Sequence, residues 1–452
     1  MRWFLAVIAV LVVSLILESG LLALAAYVLL AMLFLSRLMA RNWIGNLTAS
    51  RECDQLTGEI GQTIPVTVTV KNESWLPVPW VLMEDLLPQA HGLHPEGMGG
   101  PRLRIVKGRR IRLSMLRPGG QVTVEYRLEL RMRGYYQIGP LVLESGDVFG
   151  LHRRYRAVTE PHFLLVYPKV VPLEGFELAS RRPVGEIRLA HRLFEDPTRI
   201  AGVREYQRGD PLNRIHWRAT ARTGTLHSKI YEPSTIAGAT IVLDFHKGGY
   251  AQRGEPFRSE LAATTAASLA NAVFETGQQV GLVTNGRDAA DRVRLEGWEE
   301  DYRTRQEALG APAMHDESTR LQPQVVPTRR GVEQFQLIRE TLGRIELTDG
   351  LTFAQLVLEA TDRLPRDATV VAILPDVTVE TALALGNLRR QGYAVSVVLI
   401  LIADEHFEVA FGRLMAEGIS DIRHLRDETG LPTLCQHQAM RATPYLISVD
   451  LA

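Results

Sequence analysis

Two groups of residues in this 452-residue chain could do chemistry. The first lies between Val203 and Glu232, where six Arg or Lys, two His, one Trp and two Tyr fall within thirty residues. Its candidate binding residues are Arg204, Tyr206, Gly209, Asp210, Arg214, His216, Trp217, Arg218 and Arg222. Guanidinium groups take carboxylates and phosphates through a planar fork and stack on aromatic faces. That chemistry suits an internal ion-pair network between domains, or a surface for an anionic or protein partner. His216, with Asp210 and the arginines, could also protonate a leaving group and stabilise charge on a phosphoester. The second group is Asp244, Thr352 and Asp376, whose oxygens could hold a hard divalent cation.

The elements that would position the first group carry their own punctuation. Asp210 suits an N-cap, Pro211 the first helical position, and Gly224 the left-handed residue that ends a helix. On that helix Arg214, Arg218 and Arg222 recur every four residues as a basic stripe, with Leu212, Ile215 and Ala219 on another face. Lys229 falls in a following strand. For the second group, apolar strands alternate with amphipathic helices after residue 236. Strands are expected at 239–245, 279–284, 369–374 and 394–402, with a short one at 422–425. Helices are expected at 257–275, 332–344, 353–364, 379–391 and 406–417, and 285–330 reads as a long polar insertion. Continuous Val/Ile/Leu strands between helices imply a parallel sheet covered on both faces, whose ligand sites lie beyond the strands' carboxyl ends. Asp244 and Asp376 sit at such ends, and Thr352 starts a helix.

Between residues 41 and 170 the pattern changes to period two. Thr63–Val70 and Gln121–Leu130 alternate apolar with polar residues and are rich in β-branched types, the second after a Pro118-Gly119-Gly120 turn. Short strands at this spacing argue an antiparallel β-sandwich of immunoglobulin-like size. At the N-terminus, residues 3–17 and 21–35 are apolar runs separated by Glu18-Ser19-Gly20. One helix over 3–35 would be roughly 50 Å long against a hydrocarbon core of about 30 Å, so a transmembrane hairpin of two short spans fits better. Arg2, Arg37 and Arg41 then place both ends and the globular mass in the cytoplasm. Ala23-Leu24-Ala25 has the form of a signal-peptide cleavage site, but apolar residues continue to Leu35, which favours the anchor. The expected divisions are a hairpin over 1–40, the sandwich over 41–170, a signature-bearing linker over 171–235 and an α/β domain over 236–452.

Composition narrows the function. Lys plus Arg and Asp plus Glu both total 51, so no overall field draws nucleic acid. Cys53 and Cys435 are too few for a disulfide framework or a zinc cluster. No GxxxxGK[ST], HExxH or GxSxG motif occurs, which removes support for nucleotide hydrolysis, zinc proteolysis and serine hydrolysis.

Tyr206-Gln207-Arg208-Gly209-Asp210-Pro211, Arg214-Ile215-His216-Trp217-Arg218-Ala219 and Ala221-Arg222 resemble the central signature of the bacterial membrane proteins built on domain of unknown function 58. Val242-Leu243-Asp244 and Gly146–Leu151 resemble further elements of that family. The resemblance implies a von Willebrand factor A-like domain, a place at the bacterial inner membrane, and association with MoxR-type AAA+ ATPases. Related domains hold Mg²⁺ through Asp-x-Ser-x-Ser, a Thr and a second Asp. Asp244, Thr352 and Asp376 match that set, but His246 and Gly248 replace both serines and Lys247 adds an ammonium to the loop, which argues against a resident cation. The expectation is a membrane-tethered, non-enzymatic adaptor without a cofactor, presenting its α/β domain to a protein partner. A phosphoester-acting enzyme built on His216 and an anionic-lipid-binding module are the alternatives.

Overall fold

The computed structural model describes residues 20–87, 102–147, 153–174, 195–206, 215–233, 238–250, 254–291, 321–365 and 368–435, with helical positions 8–10, 12, 13 and 16 ahead of them. The first expected span and the Glu18-Ser19 turn therefore lie largely outside the described residues. Helix α1, Gly20–Gly45, carries the second span and is long and apolar enough to cross a membrane. It runs ten residues past Leu35, because Met39, Trp43 and Ile44 pack on the domain that follows while Arg37 and Arg41 stay exposed. The Arg156 guanidinium closes its end by donating to the Ile44 and Gly45 carbonyls at 3.4 and 3.0 Å. A cation there suits both the unpaired carbonyls and the negative pole of the helix.

After one residue, Asn46, the chain enters a β-rich domain. Its strands are β1 (Leu47–Cys53), β2 (Thr57–Glu59), β3 (Thr63–Asn72), β4 (Val78–Asp85), β5 (Leu103–Gly108), β6 (Ile111–Leu116), β7 (Gln121–Leu130), β8 (Gly134–Ile138), β9 (Leu141–Gly146), β10 (Arg153–Ala157) and β11 (His162–Tyr167). They form sheets of order β1-β3-β7-β5, β10-β9-β4-β6 and β2-β11-β8. Period-two alternation does what it promised: Ile64, Val66, Val68 and Val70 of β3 point into one core with Val124, Tyr126, Leu128 and Leu130 of β7. That core holds a buried polar cluster. Arg51 pairs with Asp85 and donates to the Ile138 and Glu160 carbonyls, and the Tyr126 hydroxyl donates to Asp85 at 2.6 Å.

Beyond it, β12 (Glu195–Glu205) and β13 (His227–Pro233) make a two-stranded antiparallel ribbon flanking helix α2, Trp217–Thr223. The α/β domain follows with β14 (Gly238–Leu243), α3 (Phe257–Glu275), β15 (Gln279–Thr284), β16 (Arg287–Asp288), β17 (Gln324–Arg329), α4 (Val332–Arg344), β18 (Ile345–Glu346), α5 (Phe353–Ala360), β19 (Thr369–Leu374), α6 (Val379–Arg390), β20 (Val395–Ile400), α7 (Asp404–Ala416) and β21 (Asp421–Leu425). Its sheet has order β17-β15-β14-β19-β20-β21, parallel except for β17. Helices α3 and α4 cover one face, and α5, α6 and α7 the other. Strand β17 lies inside the stretch expected as an insertion. Pro327 masks it in sequence, and an edge position tolerates that proline.

The two domains are joined by an arginine outside the signature. Arg133, just before β8, donates to the Leu342 and Ile345 carbonyls at 2.8 Å each, where α4 ends. Its Nε lies 3.3 Å from Glu260 of α3, and its guanidinium carbon sits 5.1 Å from the centre of the Phe245 ring. Arg339 adds a 2.7 Å pair with Glu59 and stacks over Tyr167, and Lys169 reaches Glu428 at 2.8 Å.

Candidate functional site

Strand order reverses between β14 and β19: the chain moves from β14 outward to β15, then returns to the other side of β14 for β19, β20 and β21. The crevice beyond the carboxyl ends of β14 and β19 is thus the topological switch point of the sheet. Asp244 follows β14 there and Asp376 closes the Leu374-Pro375 exit of β19. Asp244 is buried, and its Oδ1 accepts from the His246 amide at 3.1 Å and from Asn285 Nδ2 at 2.8 Å. Burial pushes its carboxyl above the usual range, against the pull of those two donors, and the Asp376 charge pushes the same way. Tyr250 donates its hydroxyl to the Asp244 carbonyl at 2.7 Å and meets the Phe245 ring edge-on.

Hydrogen bonds already engage one oxygen of each carboxylate. Asp244 Oδ1 already takes two N–H donors, and Asp376 Oδ1 accepts from the Val377 amide at 2.7 Å. Thr352 is exposed and caps α5, accepting from the Gln355 amide while Gln355 returns a bond to the Thr352 amide. The residue against the Asp244 loop is instead Thr348, whose backbone bridges His246 and accepts from the Lys247 amide at 2.7 Å. His246 Nδ1, where a serine oxygen would stand, accepts from Gly248 at 3.1 Å. Among the described residues no three His, Cys, Asp or Glu side chains converge on one point.

A fixed cation already serves this rim. Arg258 in the first turn of α3 donates to the Pro375 carbonyl at 2.6 Å, with longer bonds to Gly249 and Ile400 at 3.4 Å each. One guanidinium thus ties the exits of β14, β19 and β20 together. Arg258 and Tyr250 have no place among the residues singled out from the sequence, and Asn285 enters there only as the first residue of the expected polar insertion, whereas the structure buries it against Asp244. Asn285 was findable, because it follows β15 as Asp244 follows β14. Arg258 carries no such mark, since one Arg in a helix's first turn is ordinary.

The arginine-rich stretch is only partly as expected. Gly224 ends α2 in the left-handed conformation, φ 74°, with its amide on the Thr220 carbonyl. The start differs: α2 begins at Trp217, capped by His216 Nδ1 accepting from the Ala219 amide at 3.0 Å. Ile215 belongs not to a helical face but to an antiparallel bridge with Ser228, and it is buried. Gly209, Asp210 and Arg214, like Pro211 and Leu212, lie outside the described residues, so the stripe on α2 consists of Arg218 and Arg222. Both are exposed, as is Trp217 at 68%. Arg204 lies in β12 opposite Ser228, and Tyr206 follows it, half-buried, with its amide on the Leu226 carbonyl. The structure therefore gathers His216, Trp217, Arg218 and Arg222 on one small helix. None of them is among the partners of Arg133 at the domain joint.

Residues 202–300 match the family described as protein of unknown function DUF58. The chain is similar to the uncharacterized protein YeaD of Bacillus subtilis (strain 168), 24% identical over 264 residues, 58% of this chain and 62% of that one. The match thus spans less than two thirds of that relative's length. Both findings support the resemblance carried by Tyr206–Arg222 and Val242–Asp244. Among solved structures, a CARDB domain from Pyrococcus furiosus overlays on 26% of this chain and 91% of its own, with 13% identity and a TM-score of 0.18. Proximal thread matrix protein 1 from the mussel byssus overlays on 44% of this chain and 46% of its own, with 10% identity and a TM-score of 0.30. Overlays this loose leave the architecture to be argued from the chain's own topology.

Proposed function

We propose that this protein is a membrane-tethered, non-enzymatic adaptor that presents a von Willebrand factor A-like domain to a protein partner. The observation that carries the reading is Trp217, 68% exposed on a helix whose remaining outward charges are Arg218 and Arg222. Trp and Arg are among the side chains that most often dominate binding energy at protein interfaces. Three observations support the rest. The switch-point sheet with helices on both faces suits a von Willebrand factor A-like fold. Helix α1 suits an anchor, with Arg37 and Arg41 setting the globular part on the cytoplasmic side. The His216 ring nitrogen is engaged as a helix cap, which suits a structural rather than an acid-base role.

The family resemblance supplies the partner class, a MoxR-type AAA+ ATPase. The test is a cross-linked pull-down of the full chain from native membranes, comparing wild type with Trp217→Ala and Arg218→Glu. Loss of a co-purifying ATPase at unchanged thermal stability is expected. Equal recovery with both variants would sink the reading.

A further inference from the structure

The end of the β-rich domain at which α1 arrives differs from the rest of its surface. Leu47, first in β1, pairs with Asn72, last in β3, and the Glu73 amide donates to the Asn46 carbonyl at 3.0 Å. Asn72 in turn bonds the turn between β6 and β7: its amide meets the Gly120 carbonyl at 2.9 Å and its Nδ2 the Arg117 carbonyl at 3.2 Å. The end of α1, the 72–76 loop and the 117–120 turn therefore form one rigid rim.

That rim holds an indole out into solvent. Trp75 is 82% exposed, although the loop around it is pinned. The Ser74 amide donates to Asn72 Oδ1, the Leu76 amide to Ser74 Oγ, and Asn72 Nδ2 to the Leu76 carbonyl. Beside the turn, Met115 and Leu113 project from the outer face of edge strand β6, each 66% exposed. Basic side chains surround these apolar groups. Lys71 and Arg117 stand exposed on the rim, and Arg153 and Arg154 open β10 opposite the last residues of β9. Arg37 and Arg41 are exposed on the last turns of α1. The acids nearby are already paired in part, Glu73 with Lys71 at 3.9 Å and Glu144 with Arg153 at 3.5 Å.

We infer that this rim is a docking surface for the headgroup layer of an anionic bilayer, with Trp75 seated at the interface and the basic side chains on lipid phosphates. The inference rests on the reading of α1 as a membrane span. If the apolar run ends near Leu38, the seven residues to Gly45 cover about 10 Å of helix axis, against roughly 5–7 Å for one headgroup layer, so the rim stands at the outer edge of the headgroups and a tilt of α1 brings it down onto them. The rim then lies where indoles and cations are favoured: Trp and Tyr belong to the interfacial belt, and Lys and Arg near an anionic leaflet are attracted to it. A protein partner would need none of this nearness to α1, and nucleic acid would not call for exposed Met115 and Leu113.

The experiment uses the full chain reconstituted into vesicles, either of neutral phosphatidylcholine or with about one-third phosphatidylglycerol. The readout is acrylamide quenching of the fluorescence that Trp75→Phe removes. In anionic vesicles that component is expected to be shielded about threefold relative to neutral vesicles. Shielding should vanish when salt rises from about 0.05 to about 0.5 M, which shortens the screening length roughly threefold. It should also vanish in a Lys71→Glu, Arg117→Glu variant, whose exposed positions leave the fold intact. Equal quenching in both lipids, with the chain still resistant to alkaline carbonate, overturns the docking surface and leaves the anchor standing. Release by carbonate overturns the anchor and this inference with it. Shielding that requires a second reconstituted protein overturns the lipid reading in favour of a protein ligand.

Discussion

Replacing Arg133 by methionine should loosen the α/β domain from the β-rich domain. The side chain is 5% exposed and makes four contacts across the joint: two carbonyls at the end of α4, the Glu260 carboxylate and the Phe245 ring. Methionine keeps most of the volume but removes every N–H. The Leu342 and Ile345 carbonyls lose their donor, and Glu260, 20% exposed, loses its counter-charge. Breaking one half of a buried pair typically costs about 3–5 kcal/mol, most of it from the charge left behind. For a domain of this size that corresponds to roughly 10 °C in midpoint.

The pH dependence makes the prediction sharper. Burial holds the Glu260 carboxyl above its usual range, and Arg133 pulls it back down. A carboxyl raised in the folded state contributes stability that is present below the ordinary carboxylate range and lost as pH climbs through the folded value. Without Arg133 the folded value moves further up. The substitution should therefore cost less near pH 5 than near pH 8, because the ionised form of Glu260 is the one that needs Arg133. Calorimetry of the detergent-solubilised chain at both values is the assay. A cost below about 1 kcal/mol, or one that does not grow with pH, would refute the claim that Arg133 is the joint.

Three further outcomes follow from the same geometry. Asp244→Asn keeps an acceptor for His246 and Asn285 while removing a buried charge, so the domain should gain about 1 kcal/mol at pH 7.5 and nothing near pH 4 by thermal shift. Destabilisation together with loss of a Mg²⁺-induced shift would instead mean that the rim binds the cation. Arg51→Met strands Asp85 beside Tyr126 in the core and should cost about 3–5 kcal/mol in denaturant melts, whereas exposed Arg222→Ala should stay within about 0.5. Gly224→Ala forces a Cβ into φ 74° and should lower stability by about 1 kcal/mol, with the α2 amides exchanging faster.

What the sequence makes legible is whatever one element can declare by itself. Alternation over 63–70 and 121–130 specified two core strands, because each residue's face depends only on its parity. Asp244 and Asp376 could be placed at strand exits from the apolar runs ahead of them. The start of α2 was hidden because its cap is an imidazole, a residue type that rarely announces a helix, while Asp210-Pro211 offered a better-looking one. Ile215, apolar and at helical spacing, is consumed by a bridge to Ser228 that no local pattern records. Arg133 was hidden more thoroughly. In Arg131-Met132-Arg133-Gly134 it reads as one of several turn cations, and its partners all lie more than a hundred residues away. The end of α1 is hidden for a related reason: Arg37 and Arg41 mark where the apolar run stops, yet Trp43 packs on the β-rich core and the helix continues to Gly45.

The passage from α1 into β1 takes a single residue, with Trp43 wedged below it and Arg156 clamped across it. Such a joint has no slack in which torsion could dissipate. When the helix leans, the β-rich domain leans with it, and the Arg133, Arg339 and Lys169 ties hand the same rotation to the α/β domain. With α1 in a bilayer, as proposed, a change in the thickness or lateral pressure of the lipid would thereby become an angular displacement of the α/β domain and its Asp244–Asp376 rim, as a mast carries the pitch of a hull to its top.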